Sequence, residues 1–192
     1  MADFGALHPG FLFIMKSPLH LLRTIVLFLA FAARCAAAEP PPSYPATAAA
    51  DLVEAACKKA ASESKLVFLK CGSPQCGWCV VFDRYHHRGE VRKILEPHYV
   101  IVSIDLANMP DGRAVFSKYA APQFPTWVIM TPDKRVVVDS FTKKGDPGSN
   151  VGYPNQPQQT EYYLAAIKKA TPAIADGDLK ILGEQIKKAM SK

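Results

Sequence analysis

Cys76-Gly77-Trp78-Cys79 places two thiols three residues apart, just after an apolar run at 66–70 (LVFLK) and at the opening of a predicted helix. At a helix N-terminus the unpaired N–H groups and the helix dipole favour negative charge, so this position suits a nucleophilic thiolate at Cys76. Cys79, one helical turn on, can reach back and resolve a mixed disulfide formed through Cys76. The spacing allows two other chemistries. The pair could form a permanent disulfide on a binding module. Cys71-x4-Cys76-x2-Cys79 could also offer three thiols to a soft metal or zinc, which would want a fourth ligand close by. His86 and His87 follow Cys79 on the same predicted helix by about 10–12 Å at 1.5 Å per residue, too far to share an ion. His98, in a separate segment, stays open as a ligand.

Phe124-Pro125-Thr126 is the second feature. Pro125 immediately precedes a predicted strand, where an X-Pro bond can be cis and fix a tight turn. Trp78, beside the thiols, reads either as an exposed recognition surface or as packing for the segment 142–158. Cys71 reads as a small residue closing its strand, with a third redox thiol as the alternative. Cys57 reads as a small buried hydrophobe. Pairing Cys57 with Cys71 is disfavoured, because the two lie about 10 Å and about 20 Å from their shared turn along a helix and a strand. The pair His86-His87 reads as a solvated helix end.

The elements that hold these residues follow from periodicity. Apolar spacing predicts helices over 48–62, 77–86, 91–95, 112–119, 161–170 and 178–190. Runs rich in strand formers predict strands over 66–70, 99–104, 126–130 and 135–141. The turn Thr131-Pro132-Asp133-Lys134 makes the last two strands an antiparallel hairpin. Residues 142–158, with three Gly, two Pro and two Asn, read as a long loop. The alternation of helices and strands predicts an α/β layer fold with a mixed sheet.

With these motifs in this order, the chain resembles the thioredoxin superfamily over about residues 48–170. It looks most like the small exported thioredoxin-like proteins with a C-x-W-C site and a Gly-Ser upstream, here Gly72-Ser73. The resemblance implies a four-stranded mixed sheet flanked by helices, to which this chain adds a C-terminal helix. It also implies that Pro125 is cis and packs against the disulfide, and that the Phe124 backbone pairs with the substrate chain. The implied activity is thiol–disulfide exchange with protein thiols, with no bound cofactor or metal and with a partner protein recycling the disulfide. Three departures stand out. Residues 66–75 contain no Asp or Glu, so the buried acid that many relatives use to assist the second cysteine is absent or comes from elsewhere. Gln75 stands where an aromatic is common, and Trp78 replaces the proline of the best-known thioredoxin motif. The reduction potential therefore does not carry over.

The 192 residues carry 23 Lys+Arg against 17 Asp+Glu, with no long basic run. A nucleic-acid partner would need a basic stripe with stacking aromatics, so that class is set aside. Five cysteines are too few for a disulfide-stapled scaffold and enough for one site. Lys16 and Arg23 precede an apolar core at 24–33 and an Ala-rich exit, the parts of a secretory signal over residues 1–38. Met15, followed by Lys16, is an alternative start. A core of about ten apolar residues is short for a membrane span, so membrane contact is expected only during export, to a periplasmic or secreted location. A proline-rich linker, 39–47, leads into a domain at 48–192 whose C-terminal helical segment begins near 174.

Overall fold

A computed structural model describes residues 47–191. The expected leader, and all of the linker but its last residue, lie outside the described residues. Helix α1 spans Ala49–Ser62, and strand β1 follows at Leu66–Gly72. Helix α2, Gly77–His87, carries the two thiols at its start, and α3, Gly89–Leu95, turns away from its end. Strand β2 is Tyr99–Asp105, α4 is Gly112–Phe116, and the hairpin strands β3 and β4 are Thr126–Met130 and Val136–Asp139. A single 3-10 turn, Pro147–Ser149, precedes α5, Pro157–Ala170, and α6, Asp176–Met190.

The sheet order is β2-β1-β3-β4. β1 pairs in parallel with β2 and antiparallel with β3, which pairs antiparallel with β4, so the sheet is mixed as expected. β1 is buried along almost its whole length because it is central and covered on both faces. Alternation divides its side chains. Val67, Leu69 and Cys71 face a core with Val53, Ala56 and Cys57 of α1 and Val115 and Phe116 of α4. Phe68 faces the other core, with Phe82 and Tyr85 of α2, Tyr163 and Ile167 of α5, and Leu182 and Ile186 of α6. A register shift between Ile129 and Met130 pairs Val138 with Ile129 and Val136 with Met130. The bulge keeps each valine on the face of its partner: Val138 packs with the Phe68 core and Val136 with the Leu69 core.

Several expected boundaries shift. β1 runs two residues past Lys70, so Cys71 and Gly72 are in the strand, paired with Ile104 and Asp105. α4 ends at Phe116 rather than Tyr119, in a series of turns. α5 begins four residues before Glu161. Pro157 occupies its first turn, and Gln156 and Gln159 exchange side-chain and backbone hydrogen bonds as a capping box. The C-terminal helix is no appendage. Leu182, Ile186 and Ala189 are fully buried in the Phe68 core.

Candidate functional site

Cys76 is the N-cap of α2, with φ −90° and ψ 111°. Its Sγ accepts a hydrogen bond from the backbone N–H of Cys79 at 3.3 Å, so the thiol takes up one of the helix's open donors. Ser73 shapes the approach: its hydroxyl accepts from the Gln75 N–H at 3.2 Å, and its backbone carbonyl accepts from the Cys76 N–H at 3.1 Å. Both cysteines are free thiols in the structure. Cys76 is half-buried and Cys79 is buried. Burial, followed by the hydrogen bond with Cys76, raises the pKa of the Cys79 thiol far above its ordinary value.

The peptide bond Phe124-Pro125 is cis. Pro125 and Cys79 line the same small cavity. The segment expected as a long loop holds this turn in place. Asn150 donates from Nδ2 to the Pro125 carbonyl at 3.0 Å and to Thr126 Oγ1 at 3.2 Å. Trp127 donates from Nε1 to the Gly152 carbonyl at 2.9 Å. Gly152 has φ +56°, and a Cβ there would lie 2.9 Å from the Pro125 carbonyl, so the close approach requires glycine. Asn150 and Gly152 were not singled out by sequence reading. Their Gly/Asn type was the only available signal, and it indicates turns in general rather than this contact.

Trp78 and Phe124 are 46% and 42% exposed, the largest hydrophobic side chains so open among the described residues. Trp78 packs against the 142–158 segment, one ring face stacking on Tyr153 at 5.7 Å and 14°, while nearly half the residue remains open. The Arg113 guanidinium lies 5.4 Å from the Phe124 ring centroid. The site thus presents a half-open thiol, two exposed aromatic side chains and a fixed proline turn.

Beneath Cys79 sits an ion pair with no counterpart in the sequence reading. Lys70 on β1 and Asp83 on α2 are bonded Nζ to Oδ1, with side chains only 6% and 8% exposed. Asp83 follows Cys79 by four residues, one helical turn down the same face. Burial lowers the pKa of Lys70, and the Asp83 charge opposes that shift. A carboxylate thus stands one turn below Cys79 on the helix, while the strand carries Lys70.

The other candidates separate. Cys71 is buried on the α1 face, donates to the Gln123 carbonyl at 3.3 Å, and has its pKa raised by burial to about 12. Cys57 is likewise a buried free thiol in the α1 core. The reading of His86 and His87 as a solvated end holds for His87 alone. His86 is buried at 4% exposure because the helix continues past it and the ring packs against Phe68, Phe82 and Tyr85. It donates from Nδ1 to the Phe82 carbonyl in its neutral form, and burial and then the Lys70 charge hold its pKa well below the usual value. Among the described residues, no group of three His, Cys, Asp or Glu side chains is placed to hold a metal ion.

A half-open C-x-x-C thiol opening a helix, beside a cis-proline, on a four-stranded mixed sheet flanked by helices defines a thioredoxin-like protein. Residues 49–156 match the Thioredox_DsbH family, described as "Protein of unknown function, DUF255", and the chain belongs to that family. It is similar, at 25% identity over 104 residues, to "Uncharacterized protein B0495.5" of Caenorhabditis elegans, covering 50% of this chain and 14% of that protein. The chain therefore spans only a small part of this relative's length. Among solved structures, the disulphide isomerase from Xylella fastidiosa Temecula1 superposes with a TM-score of 0.54 at 21% identity. The match covers 68% of this chain and 99% of that one. This likeness is one of fold. A structure named "DsbH Oxidoreductase" matches at a TM-score of 0.44 and 14% identity over 74% of this chain and 99% of its own.

Proposed function

We propose that the chain is an exported thiol–disulfide oxidoreductase acting on protein thiols through Cys76 and Cys79, in the periplasm or outside the cell. The observation that carries this reading is the unlike burial of the two thiols: Cys76 half-open at the helix start, Cys79 buried beneath it beside Pro125. Written as substrate reduction, the Cys76 thiolate attacks one sulfur of a substrate disulfide. A Cys76–substrate disulfide forms, and the other substrate sulfur leaves and takes a proton. Cys79 then loses its proton and attacks Cys76 Sγ. This releases the second substrate sulfur, which is protonated, and leaves the 76–79 disulfide. Two electrons have moved to the substrate, and a partner dithiol restores them. Oxidation of a substrate is the same sequence reversed.

The half-exposed rings of Trp78 and Phe124 support binding of an extended chain, with the Phe124 backbone aligning it next to Pro125. A Cys79→Ser variant tests the reading. Purified from cells, it is expected to accumulate mixed disulfides through Cys76 that dithiothreitol releases. If none forms, and the wild type neither reduces insulin nor oxidises a dithiol peptide, the reading fails and a binding module with a lasting disulfide replaces it.

A further inference from the structure

Arg113 stands beside the proline turn, held there by α4. Gly112 packs so closely that a Cβ would lie 3.0 Å from the Asp105 carbonyl and 3.2 Å from Ile104 Cγ2, and Val115 and Phe116 are buried in the Leu69 core. With that side of the short helix fixed, Arg113 is left exposed, its guanidinium 5.4 Å from the centroid of the exposed Phe124 ring. The guanidinium makes no ion pair and donates no hydrogen bond among the described residues. The carboxylate next to it in sequence is engaged: Asp111 Oδ1 and Oδ2 accept from the Ala49 and Ala50 N–H groups, each at 3.0 Å. Asp105 is engaged likewise, by the Ala107 N–H and by Asn108. Gln123, next to Phe124, donates from Nε2 to the Pro147 carbonyl at 3.1 Å. The segment tied to the turn in this way carries exposed Lys143 and Lys144 against one carboxylate, Asp146, which accepts from the Gly148 N–H. An arginine held over a ring still presents N–H donors in the planar fork that matches a carboxylate.

From this placement we infer that Arg113 is a specificity residue, selecting substrate chains that carry an aspartate or glutamate beside the reacting cysteine. The inference rests on the proposed exchange activity and names the class of chain that it takes. A substrate aligned along the Phe124 backbone brings the side chains flanking its cysteine past the Phe124 ring. An acidic side chain there meets an unpaired guanidinium over an apolar platform, and a lysine meets like charge. The ring contact restrains the arginine before the substrate arrives, so less side-chain freedom is lost on binding. The recognised carboxylate takes no part in the bonds that break and form. Its contribution is therefore to capture, and it shows in KM rather than in kcat.

The test mixes pre-reduced protein with self-quenched peptide disulfides that differ at one position beside the cysteine, where they carry Glu, Gln or Lys. One set varies the residue before the cysteine and another the residue after it, and the dequenching rate is followed against peptide concentration. In at least one set, wild type at low salt is expected to take the Glu peptide about threefold or more faster than the Gln peptide, with the Lys peptide slowest. The difference should lie in the half-saturating concentration and shrink at high salt. Arg113→Gln should bring the Glu-to-Gln ratio close to one, and Arg113→Lys should keep part of it. Arg113→Glu should make the Lys peptide the preferred one, an inversion that a merely structural loss would not produce. Wild-type ratios near one in both sets overturn the inference, and that measurement needs no variant to fold. A preference kept in full by Arg113→Gln overturns it too, as does a loss of rate on every peptide with the ratio unchanged, which would make Arg113 a support for Phe124 alone. Each of these results leaves the exchange reading standing, because wild type still reduces the peptides. A wild type that reduces none of them would instead remove that reading, and the inference with it.

Discussion

Cys76 and Cys79 share a helical turn and differ in what surrounds them. The buried thiols are disarmed by desolvation, which disfavours the charged form: Cys79 and Cys57 are raised, and Cys71 reaches about 12. Since the thiolate is the reacting species and access limits attack, brief iodoacetamide treatment of the folded, reduced protein at pH 7.5 should label Cys76 at least tenfold faster than Cys57, Cys71 or Cys79. Peptide mapping by mass spectrometry reads this directly. His86 gives a second residue-scale prediction. Its folded pKa is depressed by burial, so between that value and the ordinary 6.5 the unfolded chain binds the extra proton. The contribution is fully present above the unfolded pKa and is lost as pH falls, at up to about 1.4 kcal/mol per pH unit for the one group. Urea midpoints between pH 7.5 and 5 should therefore fall more steeply for wild type than for His86→Phe, which keeps a ring against Phe68 and Phe82 and has nothing to protonate.

At the scale of elements, the segment after β4 matters most, because it fixes the proline turn rather than merely connecting. Gly152→Ala should force a left-handed residue to carry a Cβ into the Pro125 carbonyl, at a cost of about 1–3 kcal/mol. The urea midpoint should drop accordingly, and peptide exchange should weaken through KM, since the displaced turn is the one proposed to align substrate. The same region shows where sequence reading runs short. The strands, the hairpin and the C-x-x-C helix were legible because each rests on local signals: alternation, a turn tetrapeptide, and a break at Gly72-Ser73-Pro74. Pro157 was read as part of the loop, although a proline in the first helical turn removes only a donor that would be unpaired anyway. The Lys70–Asp83 pair was illegible for another reason. A lysine in LVFLK and an aspartate on a helix look like surface charges until the fold sets β1 under α2, and no spacing rule joins residues 13 positions apart on two elements.

For the molecule as a whole, α6 decides whether this domain stands. It lies against α2, α3 and α5, and its buried Leu182, Ile186 and Ala189 complete the core that carries Phe82 and Tyr153. The Tyr153 hydroxyl donates to the Ile186 carbonyl at 2.6 Å, and Tyr153 is also the platform on which Trp78 stacks. Arg84 donates to the Ala189 carbonyl at 3.3 Å, and Gln185 bridges Arg88 and Glu90 at the junction of α2 and α3. Leu182 and Ile186 together contribute about 3–6 kcal/mol by burial at about 1.5–3 kcal/mol each, and the exposed aromatic faces left behind add to that loss. Set against the roughly 5–15 kcal/mol that separates a folded domain from its unfolded chain, removing the helix takes most of the margin. A chain ending at Ala173 should therefore lose cooperative thermal unfolding, or melt at least 10 °C lower, by circular dichroism. The 108-residue family match stops at residue 156, before this helix begins. A truncated chain that kept the full melting temperature would make α6 an attachment. The loss expected here makes it part of the scaffold that holds the Trp78 side of the site.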